Sequence, residues 1–106
     1  MISKLKSQLF KGLAHPIRIE IIELLKDQEL CVCTIYEELE QSQSNISQHL
    51  NKLKSYQILE SRKDGLKVFY RLKDKKILKI LDLAKSIIVK QIQVARESLL
   101  KENKDD

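Results

Sequence analysis

Apolar residues recur at helical spacing along most of this chain, and the period changes only once. Ile2, Leu5, Leu9 and Leu13 mark a first helix over residues 2–13. His15-Pro16 follows. Proline suits the first turn of a helix and keeps the residue before it out of helical backbone. A second helix is therefore predicted from Pro16 to about Lys26, with Ile17, Ile21, Leu24 and Leu25 inward. Asp27-Gln28-Glu29 breaks the pattern, and Leu30 to Val32 is a short apolar approach. Thr34 to Glu40 reads as a short helix with Ile35 and Leu39 inward. Gln41-Ser42-Gln43 is a polar turn. Ser42 is a good N-cap for a helix from Gln43 to Tyr56, which buries Ile46, Leu50 and Leu53.

At Ile58 the helical period ends. Residues 59–63 and 67–72 read as two strands, with Asp64-Gly65 as the hairpin signal between them. Asp74 then caps a last helix from Lys75 to about Glu102. At 1.5 Å per residue this helix reaches roughly 40 Å, longer than so small a domain covers alone. The tail from Asn103 to Asp106 is expected to fray. The fold class is mainly α with a small β-hairpin, in the order α-α-α-α-β-β-α. Two short helices joined by a tight polar turn, followed by a basic hairpin, make a winged helix-turn-helix. One domain spans 1–106, with the helix-turn-helix at about 34–56, the wing at about 59–72 and a C-terminal dimerisation helix at about 75–102.

Composition agrees with a helical globular chain: 42% hydrophobic, 33% charged, two glycines and one proline in 106 residues. No apolar run with a small-residue cleavage site opens the sequence, and no stretch is long enough to span a bilayer. A cytoplasmic location and no membrane partner are expected. The net charge is +5. Residues 41–75 hold eight basic and three acidic side chains, 8 − 3 = +5, so the whole excess lies in one third of the chain. A polyanion is the natural partner for such a patch. There is no nucleophile–base set, phosphate loop or carboxylate pair, so no enzyme is expected.

On a helical wheel Ser44, Gln48, Asn51 and Ser55 fall opposite the Ile46–Leu50–Leu53 stripe, flanked by Asn45, Ser47 and Lys52. Such short polar side chains bond both phosphate oxygens and base edges. The candidate DNA contacts are Gln43, Ser44, Asn45, Ser47, Gln48, His49 and Lys52 on this helix, with Arg62, Lys63 and Lys67 on the hairpin. His49 lies about 60° from the core stripe by the helical repeat. It is either a DNA contact or a boundary residue packed on the preceding helix.

Four motifs resemble those of the arsenic-repressor (ArsR/SmtB) family. They are Leu13-Ala14-His15-Pro16-Ile17-Arg18, Glu29-Leu30-Cys31-Val32-Cys33, the run from Gln43 to Leu50, and Asp64-Gly65 followed by Val68-Phe69-Tyr70. The resemblance implies a homodimer that holds double-stranded operator DNA and releases it when an inducer binds. The last helix gives the dimer separate support. Its apolar face is too broad for one contact, with Leu81, Ala84, Ile88, Ile92 and Ala95 on one stripe; Leu5 and Leu9 of the first helix are expected to join the interface.

The C-x-C pair looks like the metal-binding box of the family's arsenic and cadmium/lead branches. It implies As(III), Sb(III), Cd(II) or Pb(II) as inducer, with no cofactor needed for DNA binding. Cys31 and Cys33 are expected as free thiols, Cys33 near a helix N-terminus that favours its thiolate. Residues two apart do not share a helix face. Chelation by both requires Cys31 to lie outside the helix or the first turn to unwind, and a distorted supporting helix would then lower DNA affinity. The arsenic branch's third cysteine is Tyr36 here and its acidic residue is Thr34. No other cysteine exists, so a three-sulfur site needs a partner chain or an external thiol. No histidine follows His49, which removes the family's His-carboxylate zinc site from the last helix. The pair therefore reads as a metal site, as a redox or reactive-sulfur switch, or as structural residues.

Overall fold

The computed structural model describes residues 1–104. The elements are α1 (Ile2–Leu13), α2 (Pro16–Leu24), β1 (Leu30–Cys31), α3 (Val32–Glu38), α4 (Gln43–Ser55), β2 (Leu59–Asp64), β3 (Lys67–Leu72) and α5 (Lys76–Lys104). The order expected from the sequence is present with one addition. Leu30-Cys31 is a strand, paired antiparallel with β3 through Leu30↔Tyr70 and Cys31↔Phe69. β3 is the centre of a three-stranded sheet ordered β1-β3-β2. Two residues carry no period of their own, and this strand exists because β3 offers it an open edge.

Most element ends have a local cause. His15 caps α2, its Nδ1 accepting from the Ile17 N–H at 3.1 Å, with Pro16 in the first turn. Ser42 caps α4, its Oγ accepting from the Asn45 N–H at 3.1 Å. Asp74 Oδ1 accepts from the Lys76 N–H at 2.9 Å where α5 begins. α3 starts two residues earlier than expected because Cys31, with extended backbone, is itself the N-cap residue. The ends of α3 and α4 share one geometry. Glu40 (φ 53°) and Gln57 (φ 64°) are left-handed. The next N–H of each turn reaches back, Gln41 to the Tyr36 carbonyl and Ile58 to the Leu53 carbonyl, both at 3.0 Å. These are Schellman closures made without glycine.

In the hairpin, Asp64 pairs with Lys67, so Asp64 is the last strand residue and Gly65-Leu66 forms the turn. Gly65 stands at the first central position with φ 62°, a conformation that glycine adopts at little cost. At the other end of the molecule α5 runs to Lys104, so Asn103 and Lys104, expected to fray, are helical; Asp105 and Asp106 lie outside the described residues.

The core joins every helix to the sheet. It contains Leu13 from α1, Ile21, Ile22 and Leu25 from α2 and its end, and Ile35 from α3. Ile46, Leu50 and Leu53 come from α4, Ile58 and Leu59 lead into β2, Tyr70 and Leu72 lie on β3, and Ile77 is on α5. Gly12 lets α1 approach the end of α4 closely. A Cβ there would stand 2.7 Å from Ile58 Cδ1 and 3.1 Å from Tyr56 Cβ. The core draws only the end of α1: Ile2 and Leu5 are exposed and Leu9 is half-buried.

Candidate nucleic-acid interface

α4 is held by its buried stripe, and this fixes which side chains face out. Ser44, Gln48, Asn51, Lys52 and Ser55 are exposed, as is Gln43 at the first turn. Ser47 is half-buried. Asn45 is also half-buried, and its amide donates to Gln41 Oε1 at 3.0 Å, so it braces the turn before the helix. His49 sits toward α2. Its Nδ1 accepts from Arg18 Nε at 3.3 Å and its ring centroid lies 4.2 Å from that of His15.

The three wing cations differ in their surroundings. Lys63 and Lys67 are exposed and flank Gly65 and the fully exposed Leu66. Arg62 is bound within the chain. Its Nε donates to both Glu29 carboxylate oxygens at 2.9 and 3.0 Å, Nη2 also bonds Glu29, and the guanidinium lies 4.7 Å over the Phe69 ring. The hydrogen bonds from Arg62 hold the Glu29 carboxyl below the ordinary carboxylate range. Arg62 thus straps the α2–β1 connection to the wing, and Lys63 and Lys67 are the cations at its tip.

Cys31 and Cys33, expected as free thiols, are joined in a disulfide. The reason is local. Cys31 ends β1 with φ −76° and ψ 157°, and Cys33 lies in the first turn of α3, which leaves their Cα atoms 5.4 Å apart. That spacing suits a direct bridge. α3 remains intact from Val32 to Glu38 with the sulfurs joined, so linking them does not unwind the helix. Cys31 Sγ also lies 3.4 Å from Thr34 Oγ1. The pair opens on a cavity of about 380 Å³ whose wall includes Tyr36, Gln43 and Ser47 on the helical side and Lys67 and Val68 on the wing. The sulfurs and the first turns of α4 therefore share one space. Among the described residues no group of three or more His, Cys, Asp and Glu side chains is placed to hold an ion.

Sequence patterns assigned Arg18 no role beyond its place in the Leu13–Arg18 motif, and did not show β1 as a strand or the shared cavity. Arg18 lies one turn into α2 and becomes notable only when α4 packs across it.

Residues 15–61 match the bacterial regulatory protein, arsR family. An uncharacterized HTH-type transcriptional regulator of Methanocaldococcus jannaschii is 38% identical over 78 residues, covering 73% of this chain and 88% of that protein. The chain belongs to the arsR family. The cadmium resistance transcriptional regulatory protein CadC of Listeria innocua is 40% identical over 73% of this chain and 66% of its own length. The fold is also that of Mb0332 from Mycobacterium bovis, a homodimeric winged helix-turn-helix DNA-binding domain in solution. That match has a TM-score of 0.76 at 23% identity and covers 87% of this chain and 85% of the other. This arsR-family chain is accordingly a DNA-binding transcriptional regulator of winged helix-turn-helix fold. No described helix is long and apolar enough to cross a membrane.

Proposed function

We propose that this regulator is a homodimeric repressor that releases its operator when a thiophilic metal or metalloid binds the thiolates of Cys31 and Cys33. The observation that carries the reading is the convergence of both sulfurs on a cavity walled by Gln43 and Ser47 of α4 and by Lys67 of the wing. The likeness to a cadmium-resistance regulator supports the choice of ligand class. Arsenious acid suits such a pair: arsenic forms two bonds to sulfur while two of its hydroxyls leave as water with the thiol protons. A third thiolate for a softer, higher-coordinate ion comes from outside this chain, because no third cysteine exists.

Release follows a different route from a collapsed helix. Cys31 is paired with Phe69 across β1 and β3. In the reduced protein the two thiols are free to separate; an ion bonded to both fixes the Cys31–Cys33 spacing, and that constraint passes to the wing strand and to the wall that holds Gln43 and Ser47. Ser44, Ser47 and Gln48 read bases, while Lys52, Lys63 and Lys67 bind phosphates. The dimer forms through the apolar faces of α1 and α5, in keeping with the homodimeric state of Mb0332.

The test is a titration of the reduced protein on its operator with arsenite, antimonite, Cd(II) and Pb(II). Cys31→Ser and Cys33→Ser should bind DNA normally and fail to release it, since a single thiolate per chain holds such ions weakly. Release of either variant at the wild-type inducer concentration would remove the two-sulfur site. The disulfide favours one second reading, in which an oxidant acts on the pair. In that case peroxide alone, without metal, releases the operator.

A further inference from the structure

Arg18 stands where three helices meet. Its Nη1 donates to the carbonyl oxygens of Lys11 at 3.2 Å and Gly12 at 3.4 Å, at the end of α1. Its Nε donates to His49 Nδ1 on α4 at 3.3 Å. One side chain on α2 therefore holds both neighbouring helices. His15 completes the cluster. Its Nδ1 accepts the Ile17 N–H, and its ring is tilted 44° against that of His49.

Both imidazoles use Nδ1 as an acceptor, which an imidazolium cannot do. The Arg18–His49 contact therefore exists only while His49 is neutral. Its surroundings favour that state. Burial pushes the His49 pKa below its ordinary value, and His15 and Arg18 push it further in the same direction. On its solvent side the cluster borders a cavity of about 490 Å³ lined by Arg18, His49, Gln48, Asn51, Lys52 and Ser55. The charged groups there are Arg18 from α2 and Lys52 from α4, α1 presents the carbonyls of Lys11 and Gly12, and no carboxylate lines the cavity. Nothing in this wall compensates a proton on His49.

We propose that Arg18 and His49 are positioning residues of the reading helix, and that protonation of His49 uncouples α4 from α2 and lowers discrimination between operator and other DNA. The reading residue Gln48 adjoins His49 in the chain, and Asn51 lies two residues on. A shift of α4 on α2 moves both relative to base edges. Base readout depends on that register, whereas attraction to phosphates does not. Added positive charge on His49 strengthens the second while the first is lost.

The natural operator need not be identified for the experiment. A duplex selected by the wild-type protein from random sequences is compared with its scrambled counterpart, and the ratio of the two affinities is followed from about pH 7.5 down to about pH 4.5, past the ordinary histidine range because His49 titrates below it. The wild-type ratio should fall about tenfold as pH drops, with non-specific affinity unchanged or higher. His49→Gln keeps an acceptor for Arg18 and has no proton to gain. It should retain the wild-type ratio at the higher pH within about twofold and lose most of the pH dependence. His49→Leu, which leaves Arg18 Nε without its acceptor, should lose about tenfold in the ratio at the higher pH. A folded His49→Leu protein with the wild-type ratio, or a His49→Gln protein that keeps the full acid response, overturns the proposal. Circular dichroism across the same pH range separates loss of register from loss of fold. If His49→Leu is unfolded, the His49→Gln pH profile decides alone.

Discussion

α4 and α5 carry the same kind of apolar stripe and meet opposite fates. On α4, Ile46, Leu50 and Leu53 are wholly buried. Among the described side chains of α5 only Ile77 is buried, and from Asp82 through Asn103 every one is exposed, Ile88 at 52% and Ile92 at 62%. Periodicity reports that a face is to be buried, but not by what. The domain's own core closes at the first turns of α5, and the rest of that helix projects beyond it. Ile2, Leu5 and Phe10 of α1 are exposed as well. A second copy of the chain supplies the missing surface in the proposed dimer, which is why α4 specifies the fold and the outer part of α5 specifies the assembly.

The contrast breaks first at Leu50. Leu50→Ala removes a fully buried side chain and should cost about 3 kcal/mol of folding stability, read as a fall in the urea midpoint. A loss under about 1 kcal/mol would mean that the α4 stripe is not the core it is taken to be. Ile92→Glu sharpens the other side. A carboxylate set into an apolar seam should weaken association by roughly a hundredfold, about 2.7 kcal/mol. Sedimentation should show monomers, and the unfolding midpoint should become independent of protein concentration. Normal dimers from Ile92→Glu would place the interface elsewhere.

A smaller effect on the fold, with a large one on function, is expected from the outward face of α4. Ser44→Ala, Ser47→Ala and Gln48→Ala together should change stability by less than about 1 kcal/mol, because none of these side chains is in the core. They should remove sequence preference while leaving salt-dependent, non-specific binding in place. A folded triple variant with unchanged operator preference would take the reading role away from this face.

Most of the helix and hairpin order was legible because each element has a period long enough to read and a cap or turn residue of its own: Pro16, Ser42, Gly65 and Asp74. The sheet's third strand was not. Leu30-Cys31 pairs with residues almost forty positions later, and no local pattern announces such a partner. The same long-range contact explains the misplacement of α3, since Cys31 takes extended backbone as part of that strand and so becomes the cap of the helix behind it. Within the candidate interface the outward side chains of α4 follow directly from its wheel. Arg62 and His49 do not. The sequence shows a cation on a hairpin and a histidine near a core stripe. Only the fold brings Glu29 to the first and Arg18 to the second, and with them a structural task for each.

The smallest predicted effect lies in the two helix ends that use no glycine. Glu40 and Gln57 hold left-handed backbone, which costs a residue with a Cβ about 1 kcal/mol. Glycine relieves that strain but gains freedom in the unfolded chain, so the net stabilisation should be about 0.5 kcal/mol. The two sites should differ. Gln57 Oε1 accepts from Lys73 Nζ at 2.5 Å, an exposed contact that glycine deletes. Glu40 lies beside the C-terminal carbonyls of α3, where a negative charge is unfavourable, so its removal adds a few tenths of a kcal/mol, roughly 0.3, in the same direction. Glu40→Gly should therefore raise the thermal midpoint more than Gln57→Gly. Glu40→Gln isolates the charge and should recover only that smaller part. Glu40→Val, with a branched Cβ in left-handed backbone, should lower the midpoint. If Glu40→Gln stabilised as much as Glu40→Gly, charge alone would account for the gain, and the turn after α3 would carry no strain for glycine to relieve.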